Sequence, residues 1–273
     1  MYINCKGKLI DLSIPKVMGI VNLTPDSFYD GGKYKDIDAV LLQVGKMLEE
    51  GTTFIDMGAY SSRPDATDIS IEEEERRLIP ILQEVLTNYP EALISVDTFR
   101  SNVAKKAIHA GACMVNDISA GMLDKNMMNV VGELRVPYVL MHMRGTPQTM
   151  KTLTGYEDII KELSLYFSER LACARHCKIH DLIIDPGFGF AKTIEQNFKL
   201  LKEMDVLKEL GVPLLAGLSR KSMIYKTLDG NPSTSLNGTT ALHMIALQNG
   251  ASILRVHDVK EAVECVKLHK LFM

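Results

Sequence analysis

Short apolar runs alternate with longer amphipathic stretches along most of the 273-residue chain. Each run is followed by a polar loop and then by roughly ten to twenty residues whose apolar positions recur at helical spacing. The first clear run, Val17–Val21, lies between Pro15 and Pro25. A short apolar run bounded in this way is typical of a strand buried on both faces. The alternation of such strands with helices predicts an α/β fold with a parallel sheet.

Eight strand–helix units can be counted in this pattern. Because they follow one another without a linker or a shift in composition, we expect a single (β/α)8 TIM barrel over residues 1–273. A doubly wound sheet remains the alternative, since pattern alone does not separate the two folds. Residues 1–14 are expected to form an N-terminal β-hairpin, turning at Lys6 and Gly7, that caps the barrel. The predicted barrel strands are residues 17–21, 53–57, 93–97, 114–117, 138–141, 182–185, 213–218 and 252–257.

The helices between these strands are predicted from apolar spacing and from residues that favour helix ends. The first covers about residues 36–50 and stops at Gly51. The second begins near Ile71, where acidic residues occupy the first turn. We expect Ser101 to cap the N-terminus of the third helix. Further helices are expected to begin at about residue 125 and to end at about residue 176.

Composition and charge narrow the class of protein. Hydrophobic residues make up 46% and charged residues 24% of the chain, which is typical of a soluble globular protein. The formal net charge of -3 gives no basic surface for nucleic acid, and no apolar run is long enough to span a bilayer. The first residues lack the layout of a signal peptide, so we expect a cytoplasmic protein. The expected partners are small molecules rather than nucleic acids or membranes.

The five cysteines are an odd number, and this favours reduced thiols over a disulfide framework. Cys173, His176, Cys177 and His180 have side chains that can bind metals, but they lie in a helix-like stretch. The chain lacks a second ligand pair at the spacing of a structural zinc site. We therefore expect no metal at these four residues.

Polar and charged side chains occur at the carboxyl end of nearly every predicted strand. In a barrel, all of those ends meet at the same mouth. A single Asp or Asn after a strand is often only a helix cap or a turn residue, and some of these residues are expected to have that role. Their repetition around the barrel favours a functional site. The residues are Asn22, Asp56, Asp97, Asn116, Asp117, Asp185, Lys221, Arg255 and His257, with Ser61, Ser62 and Arg63 in the second loop.

The carboxylates and amides among these residues indicate one part of the ligand. Asp97, Asn116 and Asp185 can accept and donate hydrogen bonds side by side, which suits the edge of a flat, nitrogen-rich heterocycle. A buried carboxylate is destabilising when it lacks a partner, and an aminopyrimidine-like edge that donates two hydrogen bonds would satisfy it.

The cations and Asn22 indicate the other part. Arg63, Lys221, Arg255 and His257 lie on the second loop and the last two strand ends, and the last loops of such barrels often bind phosphate. Asn22 and a bound anion could share a Mg²⁺ ion, which commonly takes few protein ligands. The predicted ligand is therefore a planar polar heterocycle that carries a phosphate or diphosphate.

The segment Gly187–Phe190 is predicted to be a tight turn rather than a dinucleotide-binding loop, because it lacks the third glycine and the acidic partner. Phe188 or Phe190 would then lie against a flat ligand. The alternative for either ring is packing in the core.

At this point the chain resembles a known family, the dihydropteroate synthases. The resemblance runs from about Val17 to the C-terminal helix, and its motifs occur in order at the predicted strand ends. They are Met18–Phe28, Ser62–Pro64, Ser95–Asp97, Asn116–Ile118, His142–Gly145, Asp185–Phe190, Ser219–Lys221 and Arg255–His257.

This resemblance implies a reaction, a cofactor and an assembly. The family joins 6-hydroxymethyl-7,8-dihydropterin diphosphate to 4-aminobenzoate and releases diphosphate, with Mg²⁺. It also implies a homodimer that forms through the late helices. The substitution is expected to pass through a cation-like state, with charge stabilised on both separating fragments.

The resemblance also implies roles for individual residues. Asp97 and Asp30 would favour the cation, while Lys221, Arg255 and His257 complete the catalytic set. Asn22 would bind the metal. The pterin would contact Asp97, Asn116, Met141, Asp185, Phe190, Lys221 and Arg255; the diphosphate would contact Asn22, Arg63, Arg255 and His257; and the aminobenzoate would contact Phe28, Ser62, Arg63, Pro64, Lys221 and Ser222.

Several positions depart from the pattern of many family members. Tyr60 follows Ala59 where Gly-Glu is common, Ser62 replaces a common Thr, and Asp65 replaces a common Gly. Phe99 and Arg100 replace a frequent Tyr-Lys pair. Ser62 keeps the hydroxyl group, whereas Asp65 adds a negative charge to a loop that is expected to handle anions.

Two other functions remain as alternatives. A corrinoid-linked methyltransferase acting on methyltetrahydrofolate shares the pterin-binding barrel, but it would not need Ser62, Arg63 and Pro64 together with Lys221, Arg255 and His257. A catalytically silent paralogue that binds a pterin or a partner protein would be distinguished by an activity assay.

Overall fold

The structure is a computed structural model, and it describes residues 1–23, 33–62 and 67–272. Two antiparallel strands, β1 and β2, come first, and the strands after them form a parallel barrel. The strands are β1 (Tyr2–Cys5), β2 (Lys8–Asp11), β3 (Lys16–Asn22), β4 (Phe54–Gly58), β5 (Ile94–Asp97), β6 (Met114–Asp117), β7 (Tyr138–Met141), β8 (Leu182–Asp185), β9 (Leu214–Ala216) and β10 (Ala251–Val256).

Helices follow the barrel strands in sequence and surround them. They are α1 (Lys33–Glu49), α2 (Ile71–Asn88), α3 (Ser101–His109), α4 (Met127–Leu134), α5 (Ile159–His176), α6 (Ile194–Lys202), α7 (Ser222–Tyr225), α8 (Leu236–Gln248) and α9 (Val259–His269). In the described part of the chain, no helix combines the length and apolar character needed to cross a membrane.

The barrel is closed, because β10 pairs in parallel with β3 as well as with β9. Closure confirms the predicted TIM barrel and excludes the doubly wound sheet, which has two open edges. The hairpin is also confirmed, with Tyr2 paired to Asp11 and Cys5 paired to Lys8.

Strand residues alternate between two environments. Residues that face outward, such as Ile55 and Met57 on β4, join a large apolar cluster with the surrounding helices. Residues that face inward at the amino ends of the strands pack instead against the hairpin residues Ile3, Cys5 and Ile10. We call this inward set the floor; it consists of Met18, Phe54, Met114, Val139, Ile183, Leu215 and Ile253.

Two residues closer to the carboxyl end of each strand, the inward-facing side chains are mostly polar instead of apolar. Of those seven positions five are now polar, charged or glycine, although the period of two residues keeps them inside the barrel. Asp97 on β5 lies beside Asn116 in the register of the sheet. We call this set the mouth layer; it consists of Ile20, Asp56, Asp97, Asn116, Met141, Asp185, Gly217 and Arg255.

The helix ends follow the sequence in one case and differ from it in another. Helix α2 begins at Ile71 as predicted, and the side chain of Ser70 accepts a hydrogen bond from the backbone N–H of Glu73. The prediction that Ser101 caps α3 is wrong. Arg100 occupies the cap position, and the backbone N–H of Ser101 donates to Asp124 Oδ2 at 2.8 Å.

Candidate active site

The mouth layer contains a buried charge network centred on Arg255. Its Nε donates to Asp56 Oδ2 at 2.5 Å, and its Nη2 donates to Asp97 Oδ2 at 2.6 Å. Asn116 Nδ2 also donates to Asp56 Oδ2, at 2.9 Å. The fork of one guanidinium group therefore joins carboxylates from two neighbouring strands across the barrel interior.

This network is incompletely satisfied by the described residues. Asp56 Oδ1 is buried and has no hydrogen-bond partner among them. Burial raises the pKa of Asp97 to about 7, and the neighbouring Arg255 charge only partly opposes this shift. A buried acceptor without a donor and a carboxyl group whose pKa is shifted toward neutrality are both typical of a functional site.

Asp185 lies at the end of β8, where the chain turns sharply. Its Oδ1 accepts a hydrogen bond from the backbone N–H of Gly187 at 2.8 Å. Burial raises the pKa of Asp185, while that N–H and the charges of Lys221 and Arg255 act in the opposite direction. A Cβ added at Gly217 would lie 3.5 Å from Asp185 Oδ2, so glycine keeps this side of the carboxylate open.

Lys221 lies against the turn that follows Asp185. Its Nζ donates to the carbonyl oxygen of Phe188 and is 4.4 Å from the centroid of the Phe190 ring. Burial lowers the pKa of Lys221 to about 8. Gly189 has a φ of +82°, and a Cβ there would lie 3.0 Å from Lys221 Cδ. The turn therefore depends on glycine to bring this lysine close to its backbone.

His257 is placed beyond the end of β10 by Ser219. The backbone N–H of His257 donates to Ser219 Oγ at 3.2 Å, and the hydroxyl lies 3.0 Å from His257 Nδ1. Burial lowers the pKa of His257 to about 4, with the nearby Arg255 charge acting in the same direction. The imidazole is therefore neutral at pH 7 and offers one N–H donor.

Met141 and Phe190 form part of an apolar wall beside these polar groups. Met141 is buried, and Phe190 packs on the same cluster from the turn after β8. The buried members of this cluster are Ile118, Met141, Met143, Met150 and Ala191, with Phe99, Leu123 and Phe190 packed against them. A flat apolar wall next to a row of hydrogen-bonding groups suits a planar heterocycle.

Comparisons with known proteins agree with this geometry. Residues 18–257 match the family model described as pterin binding enzyme. The chain is 45% identical to the dihydropteroate synthase of Synechocystis sp. over 255 residues, which cover 92% of this chain and 88% of that protein. The chain belongs to the dihydropteroate synthase family.

Solved structures of the dihydropteroate synthase family share the whole fold. The Xanthomonas albilineans enzyme with 4-aminobenzoic acid has a TM-score of 0.92 and 40% identity, covering 99% of this chain and 97% of that chain. The same enzyme in complex with 7,8-dihydropteroate has a TM-score of 0.89 and 37% identity, covering 100% and 98%.

Three other predicted contact residues lie around the mouth. Asn22 is the last residue of β3 and is exposed, Ser62 is half-buried in the loop after β4, and Ser222 is half-buried at the start of α7. These positions border the groups described above. The other predicted contacts of a dihydropteroate synthase site, Phe28, Asp30, Arg63 and Pro64, lie outside the described residues, and their roles stay predictions.

Two residues that the sequence placed at the mouth have structural roles instead. Asp117 is buried, and it accepts hydrogen bonds from the hydroxyl groups of Tyr138 at 2.6 Å and Ser119 at 2.7 Å. Phe188 is fully buried in the outer apolar cluster, whereas Phe190 lies beneath Lys221. Of the two rings in this turn, only Phe190 therefore remains available to a ligand.

The sequence analysis placed Asp56 at the mouth without assigning it a specific contact, and it did not include Lys192. Asp56 lies in the middle of β4, but its spacing of two residues from Phe54 was a signal that it faces inward. Lys192 follows the turn and is buried, with Nζ 2.9 Å from Gly187 O and 3.0 Å from both Phe190 O and His142 Nδ1. Burial lowers its pKa well below the ordinary value. A lysine after a turn is normally exposed, so the sequence carried no signal for this contact.

The described residues contain no group of three or more His, Cys, Asp or Glu side chains that could hold a metal ion. Asn22 offers a single amide oxygen at the mouth. A donor set of this kind fits Mg²⁺, which often keeps several waters and shares substrate phosphate oxygens.

Proposed function

We propose that this chain condenses 6-hydroxymethyl-7,8-dihydropterin diphosphate with 4-aminobenzoate, giving 7,8-dihydropteroate and diphosphate in folate biosynthesis. The observation that carries the proposal is the buried network of Asp56, Asp97, Asn116 and Arg255, with Asp185 and Lys221 beside it. Membership of the dihydropteroate synthase family supports it.

The pterin ring would occupy the mouth layer. Asp185 and Asp97 would accept hydrogen bonds from the ring nitrogens, and Asn116 would donate and accept through its amide. Met141 and Phe190 would cover the faces of the ring from the apolar wall. Lys221, whose Nζ lies 4.4 Å from the centroid of the Phe190 ring, would donate to a ring oxygen or nitrogen of the pterin.

The diphosphate would extend toward the outer rim. Arg255 and the neutral N–H of His257 would face its oxygens, as would Arg63 of the second loop. Asn22 would hold Mg²⁺ together with diphosphate oxygens and water. Bound there, Mg²⁺ would neutralise the negative charge that develops on the leaving diphosphate.

The chain's own residues would stabilise the two separating charges. As the bond between the methylene carbon and the diphosphate oxygen lengthens, the carboxylate of Asp97, with Asp30, would stabilise positive charge on the dihydropterin. The amine nitrogen of 4-aminobenzoate then attacks that carbon and loses a proton. Phe28, Ser62, Arg63, Pro64, Lys221 and Ser222 would form the subsite that holds this arylamine.

The test is formation of 7,8-dihydropteroate from the two substrates, with Mg²⁺ and with a chelator. We expect product only with Mg²⁺, and we expect Lys221→Ala to lose about a hundredfold in kcat/KM. Lys226→Ala is the matched control, because Lys226 is exposed at the other end of the same short helix. Absence of product from the wild-type protein would contradict the proposal and favour the silent pterin-binding paralogue.

We also infer a homodimer that forms through the late helices. Ile245 on α8 and Leu268 on α9 are exposed apolar residues, and Leu271 and Phe272 follow α9 with more than three quarters of their surface exposed. Leu268→Lys with Phe272→Lys should convert a dimer to a monomer in sedimentation velocity. Leu165→Lys, at an exposed leucine of α5, should leave the state unchanged. A wild-type monomer at micromolar concentration would contradict this inference.

A further inference from the structure

Tyr60, Phe99 and Arg100 contact one another in the loops that follow β4 and β5. The rings of Tyr60 and Phe99 form an edge-to-face pair with centroids 4.9 Å apart. The guanidinium carbon of Arg100 lies 5.1 Å from the Tyr60 centroid and 5.3 Å from the Phe99 centroid. We call these three residues the clamp. Residues about 40 positions apart in sequence therefore form one contact group.

Arg100 joins both described flanks of the second loop. On the β4 side it contacts Tyr60, which lies two residues before Ser62. On the α2 side its Nη2 donates to the carbonyl oxygen of Ile69 at 2.6 Å and to Asp68 Oδ1 at 3.1 Å. One side chain thus fixes the separation of the two ends of this loop.

Arg100 is itself held in place by Glu74 of α2. Its Nη1 donates to Glu74 Oε2 at 2.9 Å, and Glu74 is fully buried on the first turn of α2. The other oxygen of Glu74 accepts from the Thr98 hydroxyl at 2.7 Å. Because Glu74 has both partners and Arg100 is only 12% exposed, the planar fork is held in a single orientation.

The clamp also connects two parts of the proposed site. Phe99 packs against the apolar wall that contains Met141, and it lies two residues after Asp97. The hydroxyl of Tyr60 accepts a hydrogen bond from Gln148 Nε2 at 3.2 Å, in the loop after β7. The residues that follow β5, Phe99 and Arg100, therefore contact the loop that carries Ser62.

We propose that Arg100 and Tyr60 are positioning residues for the arylamine subsite, because they fix the described flanks of the second loop against β5. This inference rests on the proposed function, since it assigns Ser62 to 4-aminobenzoate. Neither residue is required to touch a substrate. Their loss should therefore weaken arylamine binding while the pterin contacts of the mouth layer stay intact.

The first test is Tyr60→Leu, which removes the ring but leaves the Arg100–Glu74 pair. We expect KM for 4-aminobenzoate to rise about tenfold, while KM for the pterin diphosphate and kcat change by less than about threefold. Tyr156→Leu is a matched control, because the Tyr156 ring lies 3.7 Å from the guanidinium of Arg144, which pairs with Glu162. It should change neither KM.

Arg100→Ala leaves Glu74 buried without a cation and is expected to reduce stability as well. Arg100→Lys keeps a cation for Glu74 but not the planar fork, so it is expected to recover most of the stability while the KM for 4-aminobenzoate stays raised. A purely structural role would instead lower the melting temperature and raise both KM values together. That result, or an unchanged arylamine KM in Tyr60→Leu, would overturn the proposal.

An equilibrium measurement separates this inference from the activity. Calorimetry would compare binding of 7,8-dihydropteroate, which fills both subsites, with binding of 6-hydroxymethyl-7,8-dihydropterin, which fills only one. Tyr60→Leu should weaken the first about tenfold and leave the second unchanged. A wild-type protein that binds both ligands without turnover contradicts the proposed function alone. If Tyr60→Leu weakens the binding of both ligands equally, the positioning role of Tyr60 and Arg100 is overturned.

Discussion

Met114 and Asn116 lie two residues apart on β6 and face the same interior, yet they belong to regions with opposite requirements. Met114 is part of the floor, where apolar side chains from seven strands pack against the hairpin. Asn116 is part of the mouth layer, where Asp56 Oδ1 has no partner among the described residues and burial raises the pKa of Asp97 to about 7. The floor consists of apolar side chains that pack on one another, whereas the mouth layer contains polar groups suited to binding a ligand.

The floor stabilises the folded protein, whereas the mouth layer reduces its stability. Burying apolar side chains is favourable at about 25 cal/mol per Å², so the floor stabilises the closed barrel. Burying ionisable groups is unfavourable unless hydrogen bonds and opposite charges compensate. Arg255 compensates for two carboxylates at once, and for this reason it is the residue on which the mouth layer depends.

The largest effect is expected from Arg255→Met. This change leaves Asp56 and Asp97 as neighbouring buried carboxylates without a cation, and it removes a donor to the diphosphate. We expect kcat/KM for dihydropteroate formation to fall about a thousandfold, which steady-state kinetics would measure. Arg77→Met, which breaks only the Arg77–Glu73 pair on α2, should retain activity. An Arg255→Met enzyme within tenfold of the wild type would contradict the role assigned to the network.

The comparison between the two regions is tested on one strand. Met114→Ala should reduce the free energy of unfolding by about 3 kcal/mol, because it leaves a cavity in the floor, with little effect on kcat/KM below the melting temperature. Asn116→Ala should have the reverse profile, with lost activity and a small change in stability. Urea unfolding and steady-state kinetics on the same two proteins would measure both quantities. Equal losses of stability would remove the distinction between floor and mouth layer.

Asp97→Asn should lower kcat/KM about a hundredfold and should change stability in a pH-dependent way. The folded-state pKa of Asp97 is about 7, above its ordinary value of 3.8, so the folded state binds the proton more tightly than the unfolded state. The wild type therefore loses stability as the pH rises from about 4 to about 7. Asp97→Asn should match wild-type stability at pH 4 and exceed it at pH 8, as urea midpoints would show.

The pH dependence of activity follows from the same groups. In the proposed mechanism, turnover requires ionised Asp97, with a pKa of about 7, and protonated Lys221, with a pKa of about 8. We expect a narrow bell-shaped profile of kcat/KM, with both limbs near neutrality. Asp97→Asn should abolish the acidic limb and Lys221→Arg the alkaline limb. A flat profile between pH 6 and 9 would contradict both assignments.

The smallest effect is expected at the hairpin turn. Gly7 has a φ of +77° with open space around it, so Gly7→Ala should reduce stability by about 1 kcal/mol through backbone strain alone. Gly155 also has open space but no such φ, and Gly155→Ala should be neutral or slightly stabilising. Thermal unfolding of the pair isolates the turn. Equal effects at the two glycines would contradict the strain argument.

Much of the barrel could be predicted because local pattern determines it. The bounds of β6, β7 and β8 match the prediction. Strand β9 is shorter than predicted because Gly217 and Leu218 leave the ladder. The cap of α3 could not be predicted, because Asp124 satisfies the N–H of Ser101 from 23 residues away.

The polar positions of the site were visible in the sequence, but their pairing was not. Arg255 and Asp56 are 199 residues apart, and their contact depends on the register of the closed barrel. The buried contacts of Lys192 depend on the path of the turn after β8. Residue type therefore predicted which chemistry is present, and only the fold determined which charges neutralise one another.

The pairing of β10 with β3 has a consequence for how the molecule assembles. The floor draws side chains from strands that span almost the whole chain, and the hairpin precedes all of them. Its apolar face cannot be covered fully until the last strand has been synthesised and has joined the first. The apolar residues of the hairpin are therefore exposed during most of translation. Barrel closure is a slow step because it joins strands that are far apart in sequence, and the nascent chain can aggregate before it is complete.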